Sequence, residues 1–126
     1  MTDENRMQWS SQPELIDQII TGVKTATVTR LQWLRGYDEY TTALYVGDTY
    51  TVFDGNREAR CRVRITALEL TRWDSIPERL WRRDPATTGE TSLAAFIQDH
   101  DAFFGHPAGD FEFLAVYFER VDVTSS

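Results

Sequence analysis

The sequence predicts an α+β fold, a small mixed or antiparallel β-barrel flanked by helices. Three observations predict it. Helix and strand patterns succeed one another as helix, strand, strand hairpin, helix, strand, without the regular βαβ alternation of a doubly wound parallel sheet. The long pattern from Ala59 to Leu70 alternates apolar and charged residues, as a sheet with one solvated face requires. The pattern from Phe111 to Val121 is apolar on both faces in its middle, which places it deep in that sheet. The 126 residues contain no internal repeat and no Gly/Ser/Pro linker, so one domain is expected over residues 1–126, with its core at about 12–122.

Each element has its own signal. Ser11 to Gly22 reads as a helix: Ser11 can cap it, Pro13 suits the first turn, Leu15, Ile16, Ile19 and Ile20 form one apolar stripe, and Gly22 supplies the stop. Val23 to Leu31, rich in threonine and valine, reads as a strand. Gln32 to Leu44 is irregular and aromatic. Gly47-Asp48 marks a turn, Thr49 to Phe53 a strand, and Asp54-Gly55-Asn56 the hairpin loop into the long strand. In that strand Ala59, Cys61, Val63 and Ile65 point inward, while Arg60, Arg62 and Arg64 point outward. Trp73 to Arg83 is mixed, with a short helical turn near Ile76. Thr91 or Ser92 caps a second helix that carries Leu93, Phe96, Ile97 and His100 on one side and ends before Gly105.

Composition narrows the function. A hydrophobic share of 41% with 26% charged residues excludes a disordered or coiled-coil chain. Cys61 is the only cysteine, so an internal disulfide, a zinc cage of cysteines and a CxxC redox pair are all excluded. No apolar stretch approaches the roughly 20 residues that span a bilayer, and the N-terminus carries no charged-then-apolar leader. A soluble cytoplasmic protein without a membrane partner is expected. The net charge of −7 argues against a surface that wraps nucleic acid. Between Arg57 and Arg83, however, eight arginines stand against four acids, a local patch able to draw an anion.

Lys24 is the only lysine beside twelve arginines, and an amine can lose its proton when desolvated where a guanidinium cannot. It stands at a helix-to-strand junction, followed by Thr25, Thr27 and Thr29. Lys24 and Thr27 are three residues apart and face opposite sides of a regular strand, so they meet only where the junction is bent or bulged. His100 reads first as a packed or capping histidine, second as a substrate contact and last as a ligand, because no compact metal motif surrounds it. Neither a metal nor a cofactor is expected, since Walker and GxGxxG loops are absent. Trp33, Tyr37, Tyr40, Trp73 and Trp81 offer surfaces on which bases could stack, and Arg82 and Arg83 beside Trp81 offer a phosphate or base platform.

The run Gly22-Val23-Lys24-Thr25-Ala26-Thr27 matches GxKxxT, and the likeness continues through Gly47-Asp48, Asp54-Gly55, Cys61-Arg62-Val63, Trp73-Asp74-Ser75-Ile76, Ser92-Leu93 with Phe96 and His100, Phe103-Phe104 and the closing aromatic strand. In these residues the chain resembles the ASCH domain family, a small PUA-like barrel associated with RNA and modified nucleosides. One branch of small bacterial members is similar to an amidohydrolase that deacetylates N4-acetylcytidine with a lysine, a threonine and a glutamate. The resemblance implies Lys24 and Thr27 as the first two. It puts the carboxylate on Asp84, one methylene shorter, or on Glu90 if the loop folds back. The mechanism it implies has a neutral Lys24 take the proton of Thr27, whose alkoxide attacks the acyl carbon while the carboxylic acid protonates the departing amine. Thr25, Arg30, Trp81, Arg82, Arg83 and His100 are the expected substrate contacts. The implied ligand is a modified pyrimidine nucleoside, a related small amide or short single-stranded RNA. The rival expectation is a non-catalytic RNA-binding module, or a ribonuclease, using the same cleft and the arginine-rich hairpin.

Overall fold

The computed structural model describes residues 6–8, 13–31, 34 and 43–122. Among them the elements run β1 (Arg6–Gln8), α1 (Pro13–Ile20), β2 (Ala26–Thr29), β3 (Thr49–Phe53), β4 (Ala59–Arg72), α2 (Glu78–Arg83), α3 (Leu93–Asp101) and β5 (Glu112–Asp122). The five strands form one mixed sheet in the order β1-β3-β4-β5-β2, with β1 parallel to β3 and the other pairs antiparallel. Among the described residues β1 and β2 remain its two edges, so the sheet is open where a closed barrel was expected. Edge strands of three and four residues leave too short a ladder to close a ring, because closure needs matched, staggered strands around the whole circumference. Trp33, Tyr37 and Tyr40 lie outside the described residues.

Apolar layers cover both faces of the sheet. Ile16 and Ile19 of α1 pack with Val52, Cys61, Val63, Ile65, Leu114, Val116 and Phe118. On the other face Leu80 of α2 and Phe96 of α3 pack with Ala26, Val28, Phe113, Ala115 and Tyr117. Consecutive residues of β5 therefore alternate between two cores, the arrangement its two-sided apolar pattern requires. The alternation of β4 holds for Cys61, Val63 and Ile65, whereas Ala59 at the strand's start is exposed. Between Ile65 and Ala67 the register against β5 shifts by a bulge. Ala67 then joins the α2/α3 side while Leu68 joins the α1 side, so the strand exchanges its faces part-way along.

Two local devices fix where the helices begin and end. The end of α1 is a Schellman turn: Gly22 takes φ +84°, its N–H donates to Ile19 O (3.0 Å), and Val23 N–H donates to Gln18 O (2.9 Å). Lys24 N–H adds a third bond to Gln18 O (3.0 Å), so the chain turns sharply and the regular strand begins at Ala26, three residues later than its threonine-rich pattern suggests. The start of α3 is capped by Ser92, whose Oγ accepts from Ala95 N–H (3.1 Å).

Gly22→Ala should cost about 1–2 kcal/mol, the strain of a left-handed alanine with no steric contact added, and urea unfolding reads it directly. Burial pushes the Cys61 thiol from 9.0 up to about 11. The folded chain therefore holds this proton more tightly than the unfolded one, and the stability involved is complete below about pH 9 and lost as the pH rises toward about 11. The urea midpoint of Cys61→Ala should accordingly fall less steeply than that of the wild type across that interval.

Candidate functional site

Lys24 is buried, 2% exposed, although no apolar contact favours an ammonium there. It is held instead by polar partners. Its Nζ donates to Ala26 O (2.9 Å) and to Asp84 Oδ1, forming an ion pair whose two side chains are 1% and 2% exposed. Asp84 caps the C-terminus of α2, its N–H donating to Leu80 O (2.9 Å), and Pro85 and Ala86 behind it are buried. Glu90, the alternative carboxylate, is exposed and accepts from Ser92 Oγ (2.7 Å).

A second set of four bonds runs alongside. Thr25 N–H donates to Arg83 O (2.8 Å), Arg83 Nε donates to Thr25 Oγ1 (2.8 Å), and Arg83 Nη2 donates to Thr25 O (3.2 Å) and Phe118 O (3.4 Å). Residues 24–25 and 83–84 thus face one another as a short ladder, side chain to side chain at one rung and mainly through backbone and guanidinium at the next. Arg83 also lies over the Tyr117 ring (4.8 Å), with Arg79 over the same ring (4.5 Å). Tyr117 donates to Glu69 Oε1 (2.9 Å) while Arg79 pairs with Glu69 Oε2 (2.9 Å), and burial together with Glu69 pushes the Tyr117 hydroxyl up to about 12. Arg83 is therefore a clamp under the site, a role carried by tertiary contacts that its sequence neighbourhood does not announce.

His100 completes the cluster from α3. Its Nε2 lies 3.4 Å from Asp84 Oδ2, outside hydrogen-bond alignment, and its Nδ1 lies 2.8 Å from Phe96 O. Asp84 Oδ2 is consequently buried without a hydrogen-bond partner. The imidazole stacks against Phe96 (4.3 Å between centroids) and is 16% exposed, the most open side chain of the three.

The other expected residues fall elsewhere. Thr27 pairs across the sheet with Val116, whose side chain lies in the α1-side core, while its neighbours Ala26 and Val28 lie in the other. It therefore faces away from the side on which α2 and α3 deliver Asp84 and His100. Arg30 donates to Phe103 O (3.0 Å) and sits over the Phe104 ring (5.8 Å). Arg82 donates to Glu78 Oε2 (2.6 Å) and covers Trp81 (5.1 Å). Most of the basic run is likewise engaged by local acids, Arg60 with Asp54, Arg64 with Glu119, Arg72 with Asp74 and Arg79 with Glu69. Among the described residues no three of His, Cys, Asp and Glu are grouped so as to hold a metal ion, and no helix is long and apolar enough to cross a membrane.

The sequence matches the ASCH domain family over residues 5–119. The chain belongs to that family. Solved structures share the fold of this ASCH domain: an ASCH domain from Lactobacillus crispatus JV V101 is 19% identical, with 96% of this chain and 81% of that one aligned at a TM-score of 0.77. A protein from Enterococcus faecalis V583 is 18% identical over 100% and 86% of the two chains at 0.72. A variant of an ASCH protein from Zymomonas mobilis is 15% identical over 99% and 77% at 0.56. No curated protein matches the sequence.

Removing one half of a buried ion pair strands the other charge, so Asp84→Ala should cost about 3–5 kcal/mol, whereas the double change Lys24→Met with Asp84→Leu should recover most of that loss. Chemical denaturation of the two variants beside the wild type checks this. A double variant as unstable as Asp84→Ala would show that the pair's hydrogen bonds, rather than its charges, hold the junction.

Proposed function

We propose that this ASCH domain binds a modified pyrimidine nucleoside, or the same base in short single-stranded RNA, at the Lys24–Asp84–His100 cluster. The observation that carries the reading is the Asp84 carboxylate. One oxygen is neutralised by Lys24 and the other, buried and without a hydrogen-bond partner, is an acceptor left for a ligand. A buried acceptor without a donor is costly, and a ligand N–H that satisfies it recovers that cost. The ligand approaches past His100, beside the Phe96 ring and the Phe103 and Phe104 aromatics. The acid-paired arginines and the net charge of −7 favour a nucleoside or a short strand over a long duplex.

Hydrolysis of an N4-acyl amide is the second reading, favoured by the direct contact of a lysine amine with a carboxylate. In the form seen here Lys24 gives its protons to two acceptors and Thr27 faces the other side of the sheet. Turnover through these residues therefore requires Lys24 to part from Asp84, or water in place of Thr27 as nucleophile.

The test is incubation of the purified protein with N4-acetylcytidine, following cytidine release by chromatography and nucleoside binding by calorimetry, with Asp84→Asn and Lys24→Ala alongside. Binding that weakens about tenfold or more in Asp84→Asn is the expected result. Lys24-dependent release would add the hydrolase activity, and binding without release would leave a recognition module. A folded wild type that neither binds nor cleaves overturns the proposal. Short RNA at rising salt separates the two ligands, since only phosphate contacts make affinity fall steeply.

A further inference from the structure

Away from the Lys24 cluster, one arginine of β4 stands apart from the others. Arg60 is paired with Asp54, Arg64 with Glu119 and Arg72 with Asp74. Arg62 pairs with no acid among the described residues, and its Nε is buried without a hydrogen-bond partner. Cys61 and Val63 on either side of it lie in the α1-side core, so strand alternation turns Arg62 to the opposite face. On that face a single row crosses three strands: Arg62 of β4 stands opposite Thr51 of β3, and Thr51 opposite Arg6 of β1. The apolar layer beneath α2 and α3 includes no residue of β1, of β3 or of β4 before Ala67, so the row lies outside it.

We infer that the row Arg62–Thr51–Arg6 is a binding site for a terminal phosphate group, as in a phosphomonoester or free phosphate, independent of the ligand proposed for the Lys24 cluster. Neighbouring strands lie about 4.8 Å apart, which puts the Cα atoms of the two arginines about 10 Å from one another, a span that their long side chains bridge around one phosphate. Thr51 between them is 4% exposed and forms the floor. A guanidinium meets a phosphate with two parallel N–H bonds, whereas an Nε–H buried without an acceptor is destabilising. Rotation of the flexible Arg62 side chain brings Nε and one Nη to the anion and satisfies both.

The surroundings select the kind of anion. Along the strand Arg62 is flanked by two arginines that already hold carboxylates, Asp54 and Glu119, and the register places Asp122 of β5 on the side away from Thr51. A terminal phosphate enters between the two arginines and ends there. The successive phosphates of a nucleic-acid strand would run on past these acids, over a protein of net charge −7, and be repelled.

The test follows the arginine Nε–H resonances by NMR as inorganic phosphate is added at low ionic strength, with sodium chloride of matched ionic strength as the control. The Arg62 resonance should shift and saturate at roughly millimolar phosphate and stay in place with chloride. An unmoved resonance, or an equal shift with chloride, overturns the inference. Thermal unfolding supplies a second reading. At about ten times the dissociation constant, phosphate should raise the wild-type Tm by roughly 3 °C or more. Arg62→Gln should be as stable as the wild type without phosphate and gain nothing from it, while Arg64→Gln, which removes the same charge two residues away, should keep the gain. An equal loss of the gain in both variants would leave only diffuse attraction to a basic strand and overturns the site. Cytidine 5′-monophosphate separates the sources: tighter binding than inorganic phosphate assigns the site to the terminal group of a nucleotide, and equal binding assigns it to free phosphate. Dimethyl phosphate bound as tightly as either overturns the assignment to a terminal group.

Discussion

The burial of one ion pair constrains everything around it. Taking an ammonium and a carboxylate out of water costs several kcal/mol for each, and their attraction offsets this only with close geometry and further hydrogen bonds. Lys24 and Asp84 come from segments 60 residues apart, so the end of α1, the start of β2 and the end of α2 must all be correctly placed for the pair to exist. The Schellman turn at Gly22 sets one side, the Arg83–Thr25 ladder locks the two segments together, and Pro85 follows on the other side. Each is a local conformational choice that agrees with the pair, which is how a costly polar group is tolerated in a core.

The sheet supplies the rigid frame for that junction. Because β5 is covered on both faces, it links the α1-side and α2/α3-side cores through alternate residues, and β2 hangs on its far edge with Lys24 just ahead of it. The cluster therefore lies between the sheet edge and two short helices, where strand and helix ends bring unlike side chains together. His100 reaches it from the face of α3 that also buries Phe96, so one helix both closes the core and completes the cluster.

Much of this was legible in the residues, and the gaps have physical causes. The stripe of α1 with its glycine stop, the Asp54-Gly55 hairpin, the alternation of β4, the Ser92 cap and the two-faced β5 all rest on local periodicity or turn chemistry, and all appear in the structure. β1 is three residues long and pairs in parallel with a strand more than forty residues away, so it leaves no periodic signal. The helix α2 is six residues in a charged stretch and follows Pro77, two residues later than the helical turn expected near Ile76. Lys24 stood out by being the chain's lone lysine, whereas Arg83 is one arginine among twelve, and its role exists only in the tertiary contacts. Strand parity left the pairing of Lys24 with Thr27 to the geometry of the junction, which turns sharply before the strand begins at Ala26 and leaves Thr27 on the face away from Asp84 and His100. A choice between Asp84 and Glu90 as the partner of Lys24 depends on how a loop folds, which spacing does not encode.

The bulge between Ile65 and Ala67 carries a consequence for how related chains can diverge. Since it exchanges the faces of β4, residues on either side of it obey opposite rules of polarity, and the strand tolerates substitution more readily than a change in length. Deleting Thr66 would leave Ile65, Ala67 and Leu68 on the faces they already hold, whereas a single-residue deletion in the regular run before or after the bulge would turn the residues beyond it to the opposite faces without altering a single side chain. Insertions are thereby steered to the hairpin tip around Gly55, and alignments of distant relatives should count residues from the bulge rather than from either end of the strand.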